Sequence, residues 1–247
     1  MLSVLDIFKV GIGPSSSHTV GPMRIGRRFV LRAAKRGKLE GAVGVHIYLY
    51  GSLALTGIGH GTDTASILGL MGASPSKILP AQCEAMLNQV STSGHLKLHN
   101  GPSVPFDPKT HIHFITDKTD ILHPNTMKLE LRGSSGETLF AHTYYSVGGG
   151  FIATERQLKA PAKKDMIADS ANSPLPFGSG AQLLEICARE GKSIAQVMLA
   201  NEDARRPREK TLAGLDHIWD VMSACIDRGL SQRGELPGGL SVKRRAP

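Results

Sequence analysis

Two histidines stand among residues that can move protons and hold an anion. His18 follows three serines in Gly11-Ile12-Gly13-Pro14-Ser15-Ser16-Ser17-His18-Thr19-Val20-Gly21-Pro22. Glycines let a backbone come close to a ligand, and Pro14 stiffens the entry. The hydroxyls and N–H groups of such a loop are donors suited to a carboxylate or phosphate, more so where the loop opens a helix. The same spacing also fits a serine N-cap in an ordinary turn. The loop lacks the Gly-Lys-Ser/Thr ending of a nucleotide phosphate loop, which argues against nucleotide binding. His60 lies between Gly59 and Gly61 in Tyr50-Gly51-Ser52-Leu53-Ala54-Leu55-Thr56-Gly57-Ile58-Gly59-His60-Gly61-Thr62-Asp63. With no flanking side chain to shield it, this imidazole suits general acid–base work near neutral pH. An exposed turn histidine would read the same way.

Helices and strands must position these loops. Met23, Ile25, Gly26, Phe29, Val30, Ala33 and Ala34 carry a helical period, so residues 22–36 read as a helix ending at Gly37. Val43 to Tyr50 reads as a strand, with His46 facing outward and given no role. Thr62 to Met71 reads as a helix started by Asp63 and Thr64, and Pro75 to Val90 includes another, with Cys83 buried or half-buried. Three stretches alternate as strands: Val104–Phe106, His111–Ile115 and Met127–Leu131. Gly133-Ser134-Ser135-Gly136 is a hairpin turn into a strand over Thr138–Val147. His111 and His113, two apart on one strand face, are a possible metal pair without an evident third ligand. Gly148-Gly149-Gly150 is expected to end the strand region. Ala160–Phe177, rich in Pro, Ser, Ala and Lys, reads as a linker. Ala181–Arg189, Ile194–Ala204 and Thr211–Arg228 read as helices, with Cys187 and Cys225 as small core residues.

Composition narrows the classes. The 247 residues are 40% hydrophobic and 20% charged, enough for one large or two modest domains. The formal charge of +8 lies largely after residue 204, in Arg205-Arg206-Pro207-Arg208, Arg228, Arg233 and Lys243-Arg244-Arg245. No aromatics interleave with it, so a solvated basic tail, or charge covered by further sequence, is expected rather than a nucleic-acid partner. No apolar run approaches the ~18 residues of a membrane span. Three unspaced cysteines and the absence of a secretory core lead to the expectation of a cytoplasmic protein.

Five stretches carry a resemblance in order and spacing: Ser3-Val4-Leu5-Asp6-Ile7-Phe8, Gly-Pro-Ser-Ser-Ser-His-Thr at residues 13–19, the Gly51–Gly57 and Gly59–Asp63 pair, Tyr144–Phe151, and Leu236-Pro237-Gly238-Gly239-Leu240. Together they resemble the bacterial iron–sulfur L-serine dehydratases, which convert L-serine to pyruvate and ammonia. The resemblance implies an α+β fold: a mixed sheet-and-helix domain over residues 1–155, akin to an allosteric substrate-binding domain, a linker over 156–179, and the first helices of a truncated all-α catalytic domain over 180–247. It implies His60 as the base and His18 as its catalytic companion, with Ser15, Ser16, Ser17, Thr19, Thr62 and Asp63 around the substrate carboxylate, Thr62 and Asp63 fixing the His60 tautomer. It implies a [4Fe–4S] cluster that holds the departing hydroxyl, with cysteine ligands expected beyond Pro247; Cys83, Cys187 and Cys225 match none of the family's ligand positions. It implies a homodimer, with L-serine as the small-molecule partner and neither nucleic acid nor membrane. The chain reads as the N-terminal portion of such an enzyme, and its last helices should expose an apolar face. The alternative is a non-catalytic module that binds serine or another small carboxylate, or a subunit that needs a separate catalytic chain. No lysine context supports a pyridoxal-phosphate Schiff base.

Overall fold

A computed structural model of the chain describes residues 3–117, 121–160, 173–236 and 241–246. Contacts divide it into two compact units. One spans Gly11–Lys159 with Arg233–Arg244; the other gathers Met1–Val10, Ala160–Gln232 and Arg245–Pro247. The short helix α1 (Val4–Ile7), capped by Ser3, belongs to the second unit.

The first unit is a sheet with helices on one face. Helix α2 (Gly21–Lys35) starts with Pro22 in its first turn, where a missing N–H costs nothing. Strand β1 (Gly44–Gly51) leads into the single turn α3 (Ser52–Leu55), then α4 (Thr62–Leu70) and α5 (Pro80–Ser93). The ribbon β2 (His95–Lys97) and β3 (Ser103–Pro105) follows, then α6 (Pro108–His111), β4 (Ile112–Ile115), β5 (Asn125–Arg132), β6 (Thr138–Gly148), β7 (Phe151–Thr154) and α7 (Glu155–Lys159). The five-stranded sheet runs β4-β1-β5-β6-β7; only β1 and β4 are parallel.

Alternation along the strands decides the faces. Val45, Ile47 and Leu49 of β1, Met127, Leu129 and Leu131 of β5, and Phe140 and Tyr144 of β6 point into one core with Ile25, Phe29, Val30 and Ala33 of α2. Helices α2 and α4 approach very closely at glycines. A Cβ on Gly69 would lie 2.2 Å from the Met23 carbonyl oxygen, and one on Gly26 would lie 2.8 Å from that of Ser66. The other sheet face is polar. Glu130 there pairs with Lys128 at 2.7 Å and with Arg132. Burial raises its carboxyl, but those two cations outweigh burial and hold it low.

Two expectations need correction. Gly148–Gly150, all at positive φ, do not end the sheet: they turn β6 into β7, whose Phe151–Thr154 adds an edge strand. His111 closes α6 rather than lying on the strand, because Asp107 caps that turn and Pro108 starts it. His46 faces outward on β1 as expected, among other imidazoles: its Nδ1 lies 3.0 Å from His113 Nε2, and its ring 5.0 Å from that of His111.

The second unit adds α8 (Gly180–Glu190), α9 (Ile194–Asp203) and α10 (Arg208–Ser231). Ser179 and Ser193 cap the first two helices, each accepting an N–H three residues on. Buried Glu202 accepts from Ser3 Oγ at 2.8 Å, Val4 N at 3.0 Å and Arg206 Nη1 at 2.7 Å, tying α1 to α9. Of the expected core cysteines, Cys187 is half-buried and Cys225 is exposed, since α10 turns much of its surface to solvent. Leu212, Trp219, Met222, Ile226 and Leu230 are exposed at steps of seven, three, four and four, one helical stripe, as the sequence leads one to expect. Most of the expected linker, residues 161–172, and the turn at 237–240 lie outside the described residues. Among the described residues no helix is long and apolar enough to cross a membrane.

Candidate active site

Both singled-out loops meet in the sheet unit. After a cis Gly13–Pro14 bond the chain makes one π-helical turn, Ser16–Val20, with Val20 N donating to Ser15 O at 3.0 Å. Such turns often occur at functional sites. Ser15 caps it, its Oγ accepting from His18 N at 3.1 Å, while Ser15 N donates to Thr19 Oγ1 at 3.2 Å. The turn runs straight into α2 at Gly21. A Cβ there would lie 2.0 Å from Ser146 Oγ, so only glycine lets the turn seat against β6. Ser146, fully buried, donates to Ser17 O at 2.7 Å.

The His60 loop hangs between α3 and α4. Three bonds lock it to the serine turn or set its ring. Thr19 Oγ1 donates to His60 O at 2.7 Å, and Thr62 Oγ1 donates to His18 O at 2.6 Å. His60 Nδ1 lies 2.8 Å from Thr56 O. A carbonyl only accepts, so Nδ1 carries the proton and the neutral ring leaves Nε2 with a lone pair. Among the described residues Nε2 has no hydrogen-bond partner. The His18 and His60 rings stand 5.0 Å apart, tilted by 41°.

His18 is held at both nitrogens, Nδ1 by Ser17 Oγ at 2.8 Å and Nε2 by Ser52 Oγ at 3.0 Å. Burial pushes its pKa below the usual imidazole value, the neighbouring His60 adds to that, and the contact with Ser52 opposes it. Near neutral pH this ring is therefore neutral, donating to one serine and accepting from the other. Burial pushes the Asp63 carboxyl up, opposed by the amides of Thr64 and Asp63 itself.

The structure thus brings together His18, His60, Ser15, Ser17, Thr19 and Thr62. Ser16 is exposed, and its hydroxyl has no bond among the described residues. The tautomer role expected of Thr62 and Asp63 falls instead to the Thr56 carbonyl, since Thr62 is spent on His18 O and Asp63 on amides. Sequence reasoning missed Ser52, Thr56 and Ser146. Ser52, beside Gly51, is a glycine-flanked hydroxyl and so carried a signal; Thr56 acts through its carbonyl and Ser146 stands between Tyr145 and Val147, so neither did.

A [4Fe–4S] cluster does not fit the described residues. Cys83 is buried in an apolar cluster with Met23, Ala65, Leu68 and Ala73, and burial pushes its thiol up. Cys187 and Cys225 stand elsewhere, on α8 and α10. Among the described residues no three His, Cys, Asp or Glu side chains are placed to hold a metal ion, the His111–His113 pair included.

Comparison with known proteins gives one consistent answer. The family model for the serine dehydratase beta chain matches residues 3–157. An L-serine dehydratase of Streptomyces coelicolor is 40% identical over 245 residues, covering 99% of this chain and 53% of that protein. L-serine dehydratase 1 of Escherichia coli K12 is 39% identical over 247 residues, 100% of this chain and 53% of the relative. One from Mycobacterium tuberculosis is 41% identical over 249 residues, 99% of this chain and 52% of the relative. The chain spans about half the length of the curated relatives it matches.

Proposed function

Because the chain belongs to the serine dehydratase beta chain family, we propose that it supplies the proton-abstracting side of an L-serine dehydratase active site. In this reading the hydroxyls and amides of the serine turn receive the substrate carboxylate, as donors around an anion do, and His18 orients Ser17 and Ser52 through its two ring nitrogens. His60 Nε2 takes the Cα proton. The Cα–H electron pair becomes the Cα=Cβ bond as hydroxide leaves Cβ. The aminoacrylate product tautomerises to the imine, which water hydrolyses to pyruvate and ammonia. The observation that carries the reading is the Nδ1 bond of His60 to Thr56 O, which leaves the other nitrogen free of its proton.

No described residue activates the departing hydroxyl. The [4Fe–4S] cluster of this family would take its ligands from the portion of the relatives that this chain does not span. The extent of the family match supports taking the first 155 residues as the beta-type domain. The further domain division, 156–179 as linker and 180–247 as the start of an α-type domain, and the homodimer belong to the same proposal.

The test is pyruvate formation from L-serine by this chain continued with the C-terminal half of the Streptomyces coelicolor relative. His60→Ala is expected to lower kcat by roughly 10²–10⁴-fold, the ordinary weight of a general base. The thermal midpoint should stay unchanged. Turnover within about twofold of the parent would remove His60 from the role.

A further inference from the structure

The sheet unit carries a second polar site that the elimination chemistry does not use. The C-terminal half of α2 and the chain around α7 enclose a cleft of about 890 Å³. Arg28, Arg32 and Lys35 line it from α2, at steps of four and three, one helical face. Arg156 and Lys159 line it from α7. Against these five cations stands one carboxylate, Glu155, already paired with Lys159 at 2.6 Å. Among the described residues no carboxylate pairs with Arg28, Arg32, Lys35 or Arg156.

The cleft floor is built rather than incidental. His142 of β6 donates through Nδ1 to Thr143 O at 2.9 Å and accepts Arg32 Nη1 on Nε2, also at 2.9 Å. Arginine only donates and a carbonyl only accepts, so this ring is neutral and spends its lone pair aiming the guanidinium. Tyr144, fully buried, stacks on His142 at 4.4 Å and braces the ring from the core side. The cleft shares no residue with the His18–His60 site. Gly21 to Arg32 is roughly 16 Å of helix axis at 1.5 Å per residue.

We propose that this cleft binds a small phosphate-bearing anion. Uncompensated cations drawn to one concavity make an anion site, and planar guanidinium forks match phosphate oxygens two at a time. Arg28 and Arg156, both exposed, would face the ligand across the cleft, with Arg32 fixed at its floor.

The experiment is calorimetric titration of the 247-residue chain with pyrophosphate, at ionic strength held constant with NaCl. The pair Arg28→Gln/Arg156→Gln removes two exposed cations that no partner holds, so folding is spared. It should weaken pyrophosphate by at least about tenfold. The pair Lys243→Gln/Arg245→Gln removes the same charge outside the cleft and should leave affinity within about twofold. Equal weakening by both pairs, or none by the first, overturns the proposal. Binding to phosphatidylglycerol vesicles or duplex DNA without binding to pyrophosphate also overturns it, in favour of an open basic surface. Citrate at matched charge should bind more weakly; citrate binding as tightly as pyrophosphate would overturn the assignment to phosphate.

Discussion

In the sheet unit, α2, β1, β5 and β6 bury one another so fully that Phe29, Met127, Leu129 and Tyr144 have no exposed surface. In the helical unit only Ile186 and Val197 are buried hydrophobics among the described residues, while Trp219 of α10 is 61% exposed amid a whole apolar stripe. Both units carry well-formed helices, and serine caps occur in each. What differs is whether the apolar face of those helices has found a partner. Helical stability in proteins comes mostly from such packing rather than from propensity. The catalytic histidines of the proposal sit in the unit that closes on itself, where a network of bonds can hold an imidazole in one tautomer. The other unit presents surface.

The sharpest way to break this comparison is by truncation of one large side chain in each unit. Phe29→Ala empties a site in the sheet-unit core and should cost about 3–5 kcal/mol, read by urea denaturation. Trp219→Ala should cost no more than about 0.5 kcal/mol in the same measurement, despite the larger residue. Equal costs would mean that α10 is packed in solution. Next in size is association: Trp219→Ser with Ile226→Ser should reduce self-association in sedimentation velocity and lower the binding of an apolar dye, because exposed apolar stripes are interaction surfaces. If both stay unchanged, the stripe is not accessible.

The smallest effect is pH dependence. His18, His46, His123 and His142 all have depressed pKa values, with burial the leading cause in each. The unfolded chain therefore binds more protons than the folded one as pH falls through about 6.5 and below. Stability should decline from pH 7.5 towards 5, and His18→Gln should flatten part of that slope. A flat profile, or stability rising on acidification, would contradict the neutral-ring account.

Local chemistry was legible in the sequence wherever one residue decided the outcome. The period of Ile25, Phe29, Val30 and Ala33 placed α2, and the alternation of Val45, Ile47 and Leu49 placed β1 with its buried face. Meeting of the His18 and His60 loops was foreshadowed only by the resemblance, since nothing in 42 residues of separation states it. The supporting shell was illegible for a physical reason. Thr56 acts through its backbone carbonyl, which every residue type carries. Ser146 acts because β6 brings it against a glycine 125 positions earlier in the chain. His46 keeps its outward strand position, and only the parallel pairing of β1 with β4 sets His113 beside it. Likewise the edge strand β7 was hidden by three glycines, whose positive φ values make a hairpin as readily as an end.

The most direct test of the account is the protonation state of one ring. Nitrogen-15 imidazole NMR of the 247-residue chain, recorded with the His60 ring neutral, reports which nitrogen keeps the proton. The account predicts the Nδ1–H form, held by the Thr56 carbonyl, with Nε2 unprotonated and available as a base. A dominant Nε2–H form would contradict it, because the lone pair would then face Thr56 rather than a substrate.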